Sequence, residues 1–197
     1  MTAQASLLDI SPLHDPGGKV RIPVPASWQC EAVFSPCERY RYQLSRIWRP
    51  GPNPQLVLFV MMNPSTADAK VNDPTIAKCC RLARAWGYDG LLIGNVCAYR
   101  ATDKRNLPAT GHQAADRADA LGPENHIHLL LMAARAKLIV MAHGQLPEKL
   151  RCLATTMRLF LRMYDFKLHV LRLAKDGTPY HPLYLREDLR PVLWDGE

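Results

Sequence analysis

Asn63 follows an apolar run over residues 56–62 and precedes Pro64, which forces an abrupt turn. A carboxamide at such a point offers both a donor and an acceptor, enough to hold a water or a substrate edge. The same side chain could equally serve an Asx-turn and satisfy only local backbone. Ser65 and Thr66 come next, able to bind phosphate or simply to cap the turn. Asn95 repeats the arrangement after Leu91-Leu92-Ile93-Gly94, where Gly94 leaves room for a close approach. Tyr99-Arg100-Ala101-Thr102-Asp103 combines an aromatic face, a guanidinium, a hydroxyl and a carboxylate. Tyr99 suits stacking on a base and Arg100 suits clamping a phosphate. Asp103 is either a general base or the ion-pair partner of Arg100 or Arg105. His181 lies between Tyr180 and Pro182 in a loop also stiffened by Pro179. A histidine held there is a candidate donor to an oxyanion or leaving group.

These residues act together only if the chain brings them together. Residues 38–48 alternate, with Tyr40, Tyr42, Leu44 and Trp48 on one face and Arg39, Arg41, Gln43 and Ser45 on the other. That pattern predicts a half-buried strand at or near a sheet edge. Residues 55–62 read instead as a strand buried on both faces of a parallel sheet. Asp73 as N-cap with Pro74 at the first helical position predicts a helix to about Trp86, stopped by Gly87. A strand over 91–95, a helix from Pro123 to about Ala136, a strand over 137–142, a helix over 148–164 and a strand over 167–173 follow. Strands separated by such helices imply right-handed crossovers. The expected fold is α/β, three-layer α/β/α with a mostly parallel central sheet. Residues 1–37, rich in Pro and Gly and aperiodic, are expected to form an irregular arm, and residues 38–197 a single α/β domain. Ligands bind such sheets beyond the carboxyl ends of the strands. Those ends carry Asn63-Pro64-Ser65-Thr66, Asn95, His143-Gly144 and the loop with His181, so all four should converge on one edge.

Composition narrows the partner. The 197 residues carry 25 Lys+Arg against 18 Asp+Glu, a formal net charge of +7, with 17 Arg to 8 Lys. Arginine's planar fork matches phosphates and base edges, which suits a nucleic acid or nucleotide, although a solvated cationic surface would look the same. Lys78, Arg81 and Arg84 recur on one side of the first helix and read as a solvated face. No apolar run reaches the roughly 18 residues of a membrane span, and the first residues lack an export pattern, so a cytoplasmic protein with no membrane partner is expected. The six cysteines form no C-x-x-C pair, and Cys79 and Cys80 are adjacent, so buried or inert thiols are expected. Cysteine and histidine never combine at zinc-like spacing; neither a metal nor another cofactor is expected. Gly-rich phosphate loops, G-x-S-x-G elbows and H-E-x-x-H pairs are absent. The oligomeric state does not follow from these features.

The ordered motifs Arg39-Tyr40-Arg41-Tyr42, Met62-Asn63-Pro64-Ser65-Thr66-Ala67-Asp68, Asp73-Pro74-Thr75-Ile76, Trp86-Gly87-Tyr88, Tyr99-Arg100-Ala101-Thr102-Asp103 and Gly177-Thr178-Pro179-Tyr180-His181-Pro182-Leu183-Tyr184-Leu185 resemble the domain-of-unknown-function 1643 family of bacterial and phage proteins. His143-Gly144 departs from the Trp-Gly of that family. The chain is also distantly similar to the uracil-DNA glycosylase superfamily, which has the three-layer fold and motifs at the same strand ends. That resemblance implies that Asn63, before Pro64, orients an attacking water, that Asn95 reads the base edge, and that His181-Pro182 belongs to the last motif. His181-Pro182-Leu183 departs from that motif by carrying Leu in place of its Ser. The implied activity is hydrolysis of an N-glycosidic bond in DNA, with His181 stabilising the departing base and Tyr99 or Tyr180 stacking on it. The alternative is a nucleic-acid or nucleotide-binding module that kept the fold without chemistry.

Overall fold

The computed structural model describes residues 20–110 and 119–195. The apolar run becomes β4 (Leu56–Met61), completely buried and placed at the middle of a seven-stranded sheet. Its neighbours are β6 (Gly90–Asn95) on one side and β7 (Leu138–Met141) on the other, both parallel to it. β8 (Leu168–Val170) continues the parallel set beyond β7. Outside this core the direction reverses. β3 (Arg41–Ile47) runs antiparallel to β6, β2 (Gln29–Phe34) antiparallel to β3, and β9 (Val192–Leu193) antiparallel to β8. The sheet is therefore mixed rather than mostly parallel. The alternation of strands and helices is confined to the middle of the chain, and an antiparallel hairpin caps one edge. A separate ribbon pairs β1 (Ile22–Pro23) with β5 (Val71–Asn72).

The alternation of β4 assigns its two faces. Leu56, Leu58 and Val60 pack with residues of α2 (Asn125–Arg135) and α3 (Arg151–Met163), including Leu129, Met132, Leu153, Met157 and Leu161. Val57, Phe59 and Met61 pack with Ile76, Cys79, Leu82 and Ala83 of α1 (Pro74–Ala85). α1 begins as its sequence predicts: Asp73 Oδ1 accepts the Ile76 amide at 2.9 Å and Gly87 ends the helix at φ 88°. Burial pushes the Cys79 thiol well above its usual range and Cys80 to about 12, so neither is a nucleophile at neutral pH.

Three expectations change. The Pro-rich N-terminal segment contributes β2 to the sheet; β3 lies next to that edge strand, near the edge as expected, but is buried on both faces rather than half-buried. The strict alternation of residues 40–48 also breaks. Val33 pairs with Gln43 and Phe34 with Arg41, which leaves Tyr42 as the extra residue of a β-bulge. Tyr42 and Gln43 consequently reach the same side chain, His128 of α2: Tyr42 stacks on its ring and Gln43 bonds to its Nδ1 at 2.8 Å. Arg41 is thereby turned to the α1 face, where its Nη1 donates to the Ala67 carbonyl at 2.7 Å. Finally, the row Lys78, Arg81, Arg84 is only partly a solvated face: Arg81 and Arg84 are exposed, but Lys78 is buried. Lys78 and Arg81 both bind Glu187, and the Arg84 guanidinium lies 5.8 Å from the Trp28 ring centre and 6.0 Å from that of Trp48.

Gly94 faces α2 rather than open space: a Cβ there would sit 2.3 Å from Leu129 Cδ1 and 2.9 Å from Met132 Cε. Gly94→Ala should therefore destabilise the protein by about 1–3 kcal/mol through overpacking. Denaturant unfolding checks this, and adding Leu129→Ala should return part of the loss, whereas an independent cavity penalty in the double variant would refute the contact.

Candidate functional site

Parallel register decides where the strand-end residues emerge. Met61 pairs with Asn95 and Val60 with Met141. The ladder then continues past the strand ends through Val96 N–H to Met61 O at 2.8 Å, Cys97 N–H to Met62 O at 2.8 Å and Ala142 N–H to Val60 O at 2.9 Å. Three chains thus leave the sheet level with one another. Beyond them lies a cavity of about 650 Å³, lined by Asn63, Ser65, Asn95, Thr102, Asp103, His143, Gly144 and His181. The first turn of α1 with its cap Asp73, Arg41 from the bulge, Lys104 and Tyr184 complete the wall.

The two amides differ in what they can offer. Asn63 Nδ2 donates to the Ala101 carbonyl at 2.6 Å and to the Pro64 carbonyl at 3.0 Å, tying the two loops together. The donor side of Asn63 is thus used by backbone, and its Oδ1 remains as the acceptor it brings to the cavity. Asn95 is the opposite case. It is 1% exposed, and neither its Nδ2 nor its Oδ1 meets a protein partner. A buried amide left in that state costs about 1–3 kcal/mol, so its retention points to a ligand with a matching edge.

His143 and His181 present opposite ring nitrogens. His143 Nδ1 lies 2.6 Å from the Gly144 carbonyl, which can only accept, so Nδ1 carries the proton and Nε2 the lone pair. His181 Nδ1 accepts the Leu183 amide at 3.4 Å, which places its proton on Nε2. Burial lowers both imidazoles below the usual 6.5, with the Gly144 hydrogen bond opposing the shift at His143 and the Asp73 charge opposing it at His181. Both rings are therefore neutral at neutral pH, one an acceptor and the other a donor. Gly144, at φ 64°, makes their proximity geometrically feasible: a Cβ there would lie 3.1 Å from His181 Cβ.

Other candidates fall into two groups. Ser65 Oγ and Thr102 Oγ1 share a hydrogen bond of 3.1 Å at the cavity wall. Asp103 caps the 3₁₀ turn Lys104–Asn106 and is gripped by Arg105, whose hydrogen bonds hold its carboxyl down at about 2; a general base it is not. Pro64, Thr66, Tyr99, Arg100, Tyr180 and Pro182 do not line the cavity. Thr66 is buried, Pro182 opens a 3₁₀ turn over Pro182–Tyr184, and Tyr180 lies beneath Arg172. Tyr99 packs edge-on against Tyr40, while Arg100 binds the Glu38 carbonyl and covers Phe34. The exposed aromatic at the cavity is Tyr184, 82% exposed and 6.0 Å from the His181 ring. Sequence reasoning missed it, along with Arg41 and the acceptor role of His143.

Fold and cavity define a mixed α/β protein with a pocket of mixed polar and apolar lining at the carboxyl edge of its parallel strands. Residues 41–183 match the family described as protein of unknown function (DUF1643), and the chain belongs to that family. Arg41, Asn63, Asn95, His143 and His181 all fall within the matched span. No curated protein and no solved structure matches the chain. Among the described residues no cluster of three His, Cys, Asp or Glu could hold a metal ion, and no helix is long and apolar enough to cross a membrane.

The histidine shifts set a pH dependence. Unfolded histidines bind protons near 6.5 while His143 and His181 resist doing so, so their contribution to stability is complete above 6.5 and is lost as pH falls below it. Urea unfolding should show wild type weakening between about pH 7 and pH 5, with a flatter profile in His143→Asn/His181→Asn. An unchanged profile in the double variant would mean that other groups set the dependence.

Proposed function

We propose that the chain hydrolyses the N-glycosidic bond of a nucleotide or of a nucleotide in a nucleic acid, on a three-layer uracil-DNA-glycosylase-like scaffold. The observation that carries this reading is a single cavity holding a neutral acceptor histidine, a neutral donor histidine and an unpartnered buried amide. Two carboxamides and two histidines of this kind suit cleavage of a bond whose leaving group is a heterocycle.

In the proposed step, water is held by Asn63 Oδ1 and its proton passes to His143 Nε2 as the oxygen bonds to C1′. The C1′–N bond breaks, and its electron pair departs with the base. His181 Nε2–H donates to the base as negative charge develops there. Asn95, with one donor group and one acceptor, pairs with the base edge. Tyr184 offers a stacking face at the mouth of the cavity, the role the sequence assigned to Tyr99 or Tyr180. A neutral imidazole N–H can hydrogen-bond the developing anion at neutral pH without first taking up a proton.

Base release should be measured on duplex and single-stranded DNA carrying uracil, mismatched or modified bases, and on free nucleotides. His181→Ala and His143→Ala should each lower the rate by roughly a hundredfold or more, and Asn63→Ala by a smaller factor. Binding without release of any base would favour the non-catalytic binding module, and variants as active as wild type would place the chemistry elsewhere.

A further inference from the structure

Arg41 has no task in that mechanism, yet its position is costly. It is 2% exposed and lines the cavity. Its guanidinium donates from Nη1 to the Ala67 carbonyl at 2.7 Å, and its Nε has no acceptor. No carboxylate among the described residues forms an ion pair with it. Burial depresses its pKa to about 10, with the charges of Asp73 and Asp68 resisting the shift and those of Arg100 and Arg46 adding to it. A guanidinium held in that state remains a cation at neutral pH, and an unpaired buried cation is unfavourable unless an anion joins it. The bulge at Tyr42 is what aims it there; regular alternation would have sent it to the opposite face.

Several neighbouring groups suit an anion, set against the Asp73 carboxylate on the same wall. The first turn of α1 lines the same wall, with Pro74, Thr75 and Ile76 at the positive end of a twelve-residue helix. Asp73 takes the Ile76 amide with its own Oδ1, so the Thr75 amide and hydroxyl are the groups that turn has left to offer. Asn95, buried and unpartnered in both side-chain atoms, borders the same space. Lys104 stands on the wall as a second cation, while the neighbouring Asp103 is neutralised by Arg105.

We propose that Arg41 and the first turn of α1 form a phosphate subsite, and that it takes a terminal phosphate monoester. A phosphodiester must continue in two directions, and a ligand group held against a guanidinium only 2% exposed is better suited to a chain end. The substrate class that follows is a mononucleotide, with the base towards Asn95 and His181. This rests on the nucleotide reading of the cavity above, although binding and hydrolysis are read out separately.

The test compares uridine 5′-monophosphate with uridine, and adenosine 5′-monophosphate with adenosine, by calorimetry on the full chain. Wild type should bind at least one monophosphate about tenfold or more tighter than its nucleoside, with the preference shrinking as salt rises. Arg41→Gln should erase that preference while leaving nucleoside affinity in place, and Arg41→Lys should restore part of it. Equal affinity for monophosphate and nucleoside in wild type overturns the subsite, and so does a preference that survives in Arg41→Gln. The wild-type comparison stands alone if Arg41→Gln does not fold. A five-nucleotide strand without terminal phosphates that binds wild type tightly, and loses its affinity in Arg41→Gln, overturns the monoester assignment. Absence of base release with the monophosphate preference intact would sink the hydrolase reading and leave the subsite standing.

Discussion

The parallel register of β6, β4 and β7 is the constraint on which the site depends. Pairing Met61 with Asn95 and Val60 with Met141 makes three chains leave the sheet at one level. A shift of one residue in any of them would turn its whole side-chain set to the opposite face and bury the wrong residues. The register is held from both sides. Alternate residues of β4 are locked against α1 or against α2 and α3, and every residue of the strand is at most 3% exposed. The hydrophobic core and the placement of Asn63, Asn95 and His143 are therefore one problem with one solution.

Within that frame, the polar groups at the strand ends divide into those that hold loops and those left to the cavity. Asn63 uses both amide protons to join residues 64 and 101, and Asn125 uses its own to hold the carbonyls of Asn95 and Val96. Arg46, fully buried, bonds to Asn72 and to the carbonyls of Asp68 and Val71, which fixes the approach to α1. The Asn95 amide and the Arg41 Nε border the cavity without a protein partner, while Asn125 Oδ1 and His169 Nδ1 are buried without one elsewhere. Among the described residues Arg49, Lys78, Arg81, Arg100, Arg105 and Arg186 pair with carboxylates, mostly at the surface.

The elements that carry strong periodicity were legible in the sequence. The unbroken apolar run of β4, the Asp73-Pro74 start of α1 and the Gly87 stop each have a local physical cause, and each falls where that cause places it. The convergence of the strand ends followed from topology alone. What could not be read was set by tertiary pairing. β2 sits in a Pro-rich stretch and becomes a strand because β3 supplies a partner. The bulge at Tyr42 leaves no mark in a pattern that alternates well on paper, and without it Arg41 looks like an outward charge. His143 looked like a departure from a family motif, whereas its hydrogen bond to Gly144 is what prepares its free nitrogen. Tyr184 differs from Tyr180 only in which residue the Pro182–Tyr184 turn carries to the cavity.

The central claim is that two neutral histidines of opposite tautomer face one cavity. Two-bond ¹H–¹⁵N correlation spectra of the histidine rings test it directly, with His143→Asn and His181→Asn used for assignment. At about pH 7.5 the account predicts His143 protonated on Nδ1 and His181 protonated on Nε2, both uncharged. The same tautomer at both positions, or an imidazolium at either, would contradict it.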